Sequence, residues 1–563
     1  MAAFALGLHF GTNGVCALIV DVATGEEVAA AETVYPSGVD GVIVDETDPD
    51  LARQVPGDYR RSLTKCVRAA LKKATRKKRF KAKRVIGIGV ATTGSTPLPV
   101  DKTCQPLADQ PIFQDEPNAY AWLWQDRTSH AEAEEITELA AREHPEYLAK
   151  CGGSYSSEWF WSKALRCIRQ SPEVMDAAAS WVELADYIPG LLVGCDSPAD
   201  LKRSACAAGH KAMFQADWGL PSAKTLAKLD PRPRLAELRN EKLYERAYIS
   251  NQVAGTLCKK WAKRLGLQPG VPVAVGALDT HMAAVGAGIA PGIIVKIIGA
   301  STSDMIVHPN TEPLADIPGL CGAVDGSILP GHVGLEARPP AVRDLLDWFI
   351  QYFESGKPRA HKRLTKQAAK LLPGASGLIA LDWNAGGQRA LVEGQQAGLL
   401  LGQTLHTTPA EIYRALIEAT AFRARVIIER LEEGGVRVEN VVACGEMAEQ
   451  NALLMQIYAD VIGRRMRLPR SSETAALGAA IFGAVVAGPE AGGCERVEHA
   501  QAAMAGLRTK RYEPDPDAQK TYDRLFHLYR QVHDAFGAQE RPGDLHKVMQ
   551  DLSIIRGHAQ SDT

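Results

Sequence analysis

The sequence lacks the motifs that mark several common kinds of site. It contains no GxxxxGK[ST], HExxH or GxSxG pattern, which excludes a P-loop, a helical zinc-protease site and a hydrolase nucleophile elbow. Its 11 cysteines include no CxxC pair, and their scattered spacing argues against a zinc site or a disulfide framework. We therefore expect reduced thiols and a cytoplasmic location.

The chain also lacks long apolar runs and a dominant charge. No apolar stretch reaches the roughly 18 residues that a membrane helix requires, and no signal peptide is apparent, so we expect no membrane association. The net charge is -2, which provides no general attraction for nucleic acid. The basic run at 72–84 is expected to be a solvated helix end and loop rather than a nucleic-acid patch.

The length and the hydrophobic pattern of the chain indicate an α/β protein. With 563 residues it is too long for one ordinary core, so two to four domains are expected. Residues 4–10, 15–21 and 27–34 read as three strands joined by tight glycine turns, and 58–74 reads as an amphipathic helix. The apolar run 85–91 follows as a buried strand.

The second half of the chain repeats this theme. It contains a strand at 271–277, a strand–turn–strand unit at 295–308, a strand at 438–445 and a helix of small residues at 475–488. A duplicated α/β architecture with a cleft between two lobes is therefore predicted. We place a first lobe at 1–265, a second at 266–490, and a C-terminal helix with a polar tail at 491–563, after the Pro/Gly-rich stretch that begins at 487.

Three glycine-containing turns are candidates for binding phosphate or nucleotide. GTNG (11–14) and GASTS (299–303) present backbone N–H groups and hydroxyls, which suit the terminal phosphates of a nucleotide. CGEMAEQN (444–451) lies at a strand-to-helix turn, where a helix N-terminus favours anions. Each turn alone is equally typical of a plain hairpin or connection.

Three single residues carry further candidate chemistry. Asp279 follows a buried strand, where a carboxylate facing a cleft suits a general base, although an aspartate that caps the next helix has the same pattern. Lys211 and Glu336 are polar residues in apolar surroundings. Taken singly, each is also typical of a surface ion pair.

Eight longer stretches of the sequence are similar to those of a known protein family. They are VDVATGEE (20–27), TTGSTPLPVD (92–101), YSSEWFWSKAL (155–165), AGHK (208–211), HMAAVGAG (281–288), IGASTSDM (298–305), TPAEIYRALIEATAF (408–422) and NALLMQIYADVIGR (451–464). From about residue 5 to about residue 490, the chain resembles the ribulokinases of the FGGY carbohydrate kinase family. The resemblance implies two actin/hexokinase-like (ribonuclease H-like) lobes, and transfer of the ATP γ-phosphate, with Mg²⁺, to the 5-hydroxyl of a ribulose.

The resemblance also assigns roles to individual residues. It places Asp279 as the general base, and it assigns sugar contacts to Gly94, Ser95, Lys211, Asp279 and Glu336. The nucleotide contacts that it implies are Gly11, Thr12, Asn13, Gly299, Ser301, Thr302, Gly445 and Asn451. Sugar and ATP are thus the expected partners, and the number of copies in any assembly stays open.

The chain departs from the family pattern mainly on the nucleotide side. His9 stands where the family has a metal-associated aspartate, so no residue is assigned to the metal with certainty. Imidazole is a poor ligand for Mg²⁺, and bulky residues fill space that glycines leave open at ligand turns. The other departures are Cys16, Ala91, WQDR at 124–127, Arg338 with Pro339, Arg423 and Glu446.

These departures leave three functional interpretations open. The first is a ribulokinase-type enzyme with weakened use of Mg-ATP. The second is a pseudokinase that acts as a sugar-binding or protein-interaction module. The third is a kinase for another ketose or polyol, which the close match on the sugar side disfavours.

Overall fold

The first lobe is built around a seven-stranded mixed sheet. The computed structural model describes residues 2–299, 302–357, 359–384 and 397–537. The three opening strands form an antiparallel meander, and the first of them pairs in parallel with the strand at 85–92. In spatial order the strands are Val253–Thr256, Pro272–Ala274, Val85–Thr92, Phe4–Phe10, Gly14–Asp21 and Glu27–Val34, and Ala277–Leu278 also pairs with Val85–Thr92.

The second lobe repeats this design with its own seven-stranded sheet. Its antiparallel hairpin at 292–309 is the counterpart of the opening hairpin of the chain, and it pairs in parallel with the strand at 438–444. In spatial order the strands are Gly322–Asp325, His332–Ala337, Thr302–Pro309, Gly292–Ile298, Val438–Cys444, Met466–Pro469 and Leu507–Tyr512. The last strand lies in the predicted C-terminal extension, so part of that extension completes this sheet.

Helices cover both sheets, and four two-stranded ribbons extend the lobes. The helices up to residue 286 are Pro56–Ala74, His130–Glu143, Pro145–Ala149, Phe160–Gln170, Pro172–Ala177, Leu184–Val193, Ala205–Ala212, Ala223–Leu226, Arg234–Glu237, Lys259–Leu265 and Asp279–Gly286. Those that follow are Val342–Phe353, Ala360–Ala368, Pro409–Glu433, Glu446–Gln450, Ala452–Ile462, Thr474–Ala487, Val497–Met504 and Pro516–Gly537. The ribbons pair Arg53–Gln54 with Ala121–Trp122, Pro97–Val100 with Ser180–Glu183, Arg203–Ser204 with Ala247–Tyr248, and Ile379–Leu381 with Leu399–Leu401.

The helix Thr474–Ala487 joins the two lobes. It packs on the first sheet and on the helix Asp279–Gly286. Its small residues are required because a Cβ atom on Gly478 would lie 1.9 Å from the carbonyl oxygen of Met282. A Cβ on Gly7 of the first strand would similarly lie 1.8 Å from the carbonyl oxygen of Ala476. Backbone therefore packs on backbone here, which fixes both walls of the cleft relative to one another.

The α/β class and the two-lobed architecture are confirmed, and each strand and helix predicted up to residue 488 has a counterpart in the structure. The predicted strand at 271–277, however, contributes Pro272–Ala274 and Ala277–Leu278 to the sheet of the first lobe, although we had placed the start of the second lobe at 266. The predicted C-terminal helix corresponds to Pro516–Gly537, while the polar tail lies outside the described residues. None of the helices in the described ranges is long and apolar enough to cross a bilayer.

Candidate active site

A cleft of about 490 Å³ separates the lobes, and the predicted phosphate turns face it. Both hairpins and the turn after the strand Val438–Cys444 contribute to its wall. The predicted site residues among its lining are Gly11, Thr12, Asn13, Gly94, Asp279, Gly299 and Gly445, and His9 lines it as well. The structure therefore brings residues that are far apart in the sequence to one cavity.

The first phosphate turn is held rigid by its own hydrogen bonds. The N–H of Gly11 donates to the carbonyl of Gly14 across 2.9 Å, which closes the hairpin. The hydroxyl of Thr12 accepts from the indole N–H of Trp124 across 2.9 Å. The side-chain amide of Asn13 donates to the carbonyl of Asp40 across 2.8 Å. Trp124 is thus a wall residue that fixes the turn.

The predicted nucleotide residues of the second lobe differ in whether they line the cleft. Gly299 and Gly445 line the cleft, and the φ of Gly445 is +96°, a conformation that favours glycine. Thr302 and Asn451 do not line it. The Thr302 hydroxyl accepts from the N–H of Val342, and the Asn451 side chain caps a helix by accepting from the N–H of Leu454. Ser301 lies outside the described residues.

Asp279 is the carboxylate best placed for chemistry in the cleft. It is the first residue of its helix, and its Oδ1 accepts from the N–H of Thr280 across 2.7 Å. Its Oδ2 lies 3.5 Å from the Nε2 of His9, and each of these two side chains is 27% exposed. Asp279 is therefore not the cap of this helix, since Leu278 holds the N-cap position, and its carboxylate faces the cavity.

Two further carboxylates, from Glu32 and Glu473, line the cleft beside the first hairpin. Their oxygens and the sulfur of Cys16 lie within 4.8 Å of one another, and the thiol of Cys16 contacts Glu473 across 3.3 Å. Burial raises the pKa of Glu473, and the nearby charge of Glu32 adds to this effect. Neither carboxylate is paired with a lysine or arginine in the part of the chain that the structure describes, so both stay available to a cation.

The turn predicted to contact sugar is built on buried ionic groups. Gly94 lines the cleft, while the hydroxyl of Ser95 points inward and donates to Glu183. The carbonyl of Ser95 accepts from the ammonium of Lys163 across 2.9 Å. Burial lowers the pKa of Lys163 to about 7. The side chain of Ser95 therefore shapes this turn from behind and does not project into the cavity.

Lys211 and Glu336 contact each other, but both are fully buried and neither lines the cleft. The ammonium of Lys211 lies 3.1 Å from Oε2 of Glu336, and the Nε of Arg338 lies 2.8 Å from Oε1. Burial opposes the ionisation of Glu336, but the two cations outweigh it and hold the pKa of that carboxyl well below its usual value. Arg338 lines the cleft and also reaches Glu158 of the first lobe, so it covers the buried pair.

Two departures from the family pattern do not act on a nucleotide in the way we predicted. Arg423 lies inside the second lobe, where it is 2% exposed and pairs with Asp382 across 2.8 Å, so it is a core residue and not part of a ligand turn. Glu446 does not line the cleft, and its carboxylate is paired with Arg343. Glu446 therefore lies in an ion pair outside the cavity and does not fill space in it.

The sequence did not single out several residues that the site contains. Glu473 has only a weak signal, since it is the polar residue just before an apolar helix. His210 and His281 were quoted only as members of motifs, yet their rings pack 4.3 Å apart beside Glu336. Only the arrangement of the lobes reveals that these two histidines meet.

Comparison with known proteins identifies the family to which this chain belongs. A model of the N-terminal domain of the FGGY family of carbohydrate kinases matches residues 4–286, and a model of the C-terminal domain of that family matches residues 295–487. The chain belongs to the FGGY family of carbohydrate kinases. Proteins of this family are ATP-dependent sugar phosphotransferases that require a divalent metal, so ATP and a sugar are the two substrates expected in the cleft.

The relatives extend over the full length of the chain. It is 36% identical to a ribulokinase of Shouchella clausii over 100% of this chain and 99% of the relative. It is 37% identical to a ribulokinase of Geobacillus thermodenitrificans over 95% of each chain. The structure of a xylulose kinase from Rhodospirillum rubrum superposes with a TM-score of 0.75 at 21% identity, covering 95% of this chain and 99% of that one. This superposition confirms the actin/hexokinase-like fold.

Proposed function

We propose that this protein transfers the γ-phosphate of ATP to the 5-hydroxyl of a ribulose. The observation that supports this most strongly is the extent of its similarity to ribulokinases, at 36–37% identity over nearly the whole chain. The position of Asp279 in the cleft agrees with it. The pseudokinase alternative finds no support in these relatives, and the altered residues 423 and 446 no longer argue for it.

Asp279 acts as the general base of the transfer. It takes the proton from the sugar hydroxyl as the bond from that oxygen to the γ-phosphorus forms and the bond to the β-phosphate oxygen breaks. The close imidazole of His9 orients the Asp279 carboxylate. Such transfers depend chiefly on alignment and on charge stabilisation, and the rigid backbone of the two phosphate turns serves this purpose.

The nucleotide lies across three turns of the cleft. The backbone N–H groups of Thr12, Asn13 and Gly299 meet the phosphates, and Gly445 leaves space for the nucleoside. The carboxylates of Glu32 and Glu473, which lie together beside the first hairpin, are the oxygen donors that would hold Mg²⁺, whereas His9 supplies none. The bound cation supplies charge neutralisation to the phosphates.

A coupled assay of ADP release tests this proposal. The purified chain is given Mg-ATP and a panel of pentuloses, other ketoses and polyols. We expect the highest kcat/KM with a ribulose, and no ribulose-dependent ADP release from Asp279→Asn. Preferential turnover of another ketose or polyol would overturn the substrate assignment, and absence of turnover with every sugar would overturn the enzyme assignment.

A further inference from the structure

A second cavity, of about 580 Å³, lies in the first lobe and shares no lining residue with the cleft. Its wall is formed by the turn after the strand Pro97–Val100, by the helix Leu184–Val193 and by the start of the helix Lys259–Leu265. Three of the 11 cysteines of the chain line it, namely Cys104, Cys195 and Cys258. The proposed transfer uses none of these thiols, so their presence around one cavity requires a separate explanation.

Two of these thiols form a pair with unequal access to solvent. The side chains of Cys104 and Cys195 contact each other, although the two residues are far apart in the sequence. Cys104 is only 7% exposed, whereas Cys195 is partly exposed. A reagent that arrives from solvent therefore meets the sulfur of Cys195 first and has that of Cys104 beside it.

The backbone holds both cysteines in place. The N–H of Cys104 donates to the carbonyl of Asp101 across 3.0 Å, and its φ of +58° is uncommon for a residue other than glycine. The N–H of Cys195 donates to the carbonyl of Gly190 across 2.9 Å at the end of a helix. Both thiols therefore project from backbone that hydrogen bonds fix.

The contact makes Cys195 the more reactive member of the pair. The hydrogen bond from Cys104 lowers the pKa of the Cys195 thiol to about 7, and the same bond raises the pKa of Cys104. Burial of Cys195 and the charges of Asp200 and Asp196 act in the opposite direction without reversing the shift. About half of a thiol with such a pKa is thiolate at pH 7, and the thiolate is the form that attacks an oxidant.

The arrangement favours a bond between two sulfur atoms over a metal site. Within the described residues, the three cysteines of this cavity are not among the groups whose ligand atoms lie close enough to share one ion. All three are free thiols. Two thiols that are already in contact need only a small movement to reach the S–S bond length of about 2.05 Å.

We propose that Cys195 and Cys104 form an oxidation site that reduces a hydroperoxide and closes to a disulfide. The Cys195 thiolate attacks one oxygen of the peroxide, so an S–O bond forms as the O–O bond breaks. The leaving oxygen takes up the proton that the thiol has released and departs as water or an alcohol. The sulfur of Cys104 then attacks that of Cys195, the S–S bond forms, and the hydroxyl group departs with the proton of Cys104 as water. The two thiols thus lose two electrons, which the peroxide gains.

Non-reducing peptide mapping after exposure to hydrogen peroxide tests this site. The reduced chain is treated at pH 7, its remaining thiols are alkylated, and the peptides are identified by mass spectrometry. We expect one linked pair of peptides, containing Cys104 and Cys195, which dithiothreitol separates. Cys258→Ser should leave this link unchanged and is the matched control, because Cys258 lines the same cavity and is also partly exposed. In Cys104→Ser, Cys195 should stop at the sulfenic acid, which dimedone labels.

A second measurement on the parent needs no substitution. Iodoacetamide at pH 7 should alkylate Cys195 at least about tenfold faster than Cys258, because alkylation requires the thiolate. Equal rates would refute Cys195 as the attacking thiol. A link from Cys195 to Cys258, or oxidation spread evenly over the thiols, would refute the role of Cys104. A Cys195 that stays reduced while peroxide oxidises other cysteines would refute the site as a whole.

Discussion

The imidazole of His9 lies 3.5 Å from the carboxylate of Asp279, at the point where the first strand ends in the cleft. His9 thus contacts the residue proposed as the base, and it replaces a possible oxygen ligand of the metal. These two effects oppose each other, because an imidazole that contacts the carboxylate occupies the position from which a cation would approach it. The effect of substitutions at residue 9 on the Mg²⁺ dependence of turnover therefore tests whether this residue faces the metal.

We predict that His9→Asp makes turnover depend more steeply on Mg²⁺. A carboxylate at this position adds a hard oxygen ligand beside Asp279, and an additional 1.4 kcal/mol of transition-state stabilisation raises the rate about tenfold. The measurement is the initial rate of ADP release across a Mg²⁺ series. His9→Asn is the control, since it removes the ring without adding charge. Equal Mg²⁺ curves for parent and His9→Asp would show that residue 9 does not face the metal.

Asp279→Asn should abolish catalysis while substrate binding persists. The amide keeps the shape of the side chain and still accepts from the N–H of Thr280, but it cannot take the proton of the hydroxyl. Loss of a general base costs about 10²–10⁴-fold in kcat. Rapid-quench turnover measures this loss, and calorimetry measures the affinities for sugar and ATP. A kcat within threefold of the parent would exclude Asp279 as the base.

The ion pair between Arg343 and Glu446, rather than Glu446 alone, should determine the contribution of the turn at 445 to ATP affinity. Because Arg343 pairs with Asp347 as well as with Glu446, its charge stays compensated when Glu446 is removed, and Glu446→Gly should change ATP affinity by less than about threefold. Arg343→Ala leaves the carboxylate free beside a polyanion and should weaken ATP binding. The double variant should bind like the parent. Fluorescence titration with ATP gives all three affinities, and a tenfold gain in Glu446→Gly would contradict the neutralisation.

The predictions that succeeded rest on local pattern. Alternating apolar residues at 4–34 and the glycine turn at 11–14 define a hairpin whatever surrounds it, and the helix of small residues at 475–488 can only pack closely. The resemblance assigned Lys211 and Glu336 to the sugar. The structure brings the two side chains 3.1 Å apart, but neither lines the cleft, so their contact with a sugar stays a prediction.

The predictions that failed depend on where a side chain points after folding. Arg423 follows a family motif, but its position in the long helix Pro409–Glu433 turns it towards Asp382 in the core. The partner of Glu446 is Arg343, about 100 residues earlier in the chain, which no local pattern links to it. The buried cluster of His210, His281 and Glu336 is likewise assembled from three distant segments of the chain.

Arg423→Leu should destabilise the second lobe without changing catalysis by the folded enzyme. The guanidinium pairs with Asp382, and removal of one partner from a buried ion pair costs about 3–5 kcal/mol because the other charge stays uncompensated. Urea unfolding followed by tryptophan fluorescence measures the loss. The double variant Arg423→Leu/Asp382→Leu, which removes both charges, should recover part of it. If the fully folded Arg423→Leu variant has a changed KM for ATP, Arg423 instead belongs to the nucleotide site.

The stability of the protein should fall as the pH drops below 6.5, in part through His281. Burial lowers the pKa of this ring to about 4 in the folded chain, against 6.5 when it is unfolded, so the unfolded state binds the extra proton between these values. Unfolding is therefore favoured increasingly from pH 6.5 downwards, and the effect is complete below 4. It amounts to about 2 kcal/mol between pH 7.5 and 5 for a fully shielded ring. The groups that set this pKa through charge are Glu336, Lys211, Arg338 and Asp279.

His281→Gln isolates this contribution because glutamine does not titrate. Urea unfolding of the parent and of His281→Gln is measured from pH 7.5 to pH 5, and the difference between the two free energies of unfolding is plotted against pH. The carboxylates of both proteins titrate alike, so they cancel from this difference. We expect the parent to lose about 2 kcal/mol more than the variant over this range. Parallel curves would show that His281 takes up its proton as readily in the folded chain as in the unfolded one.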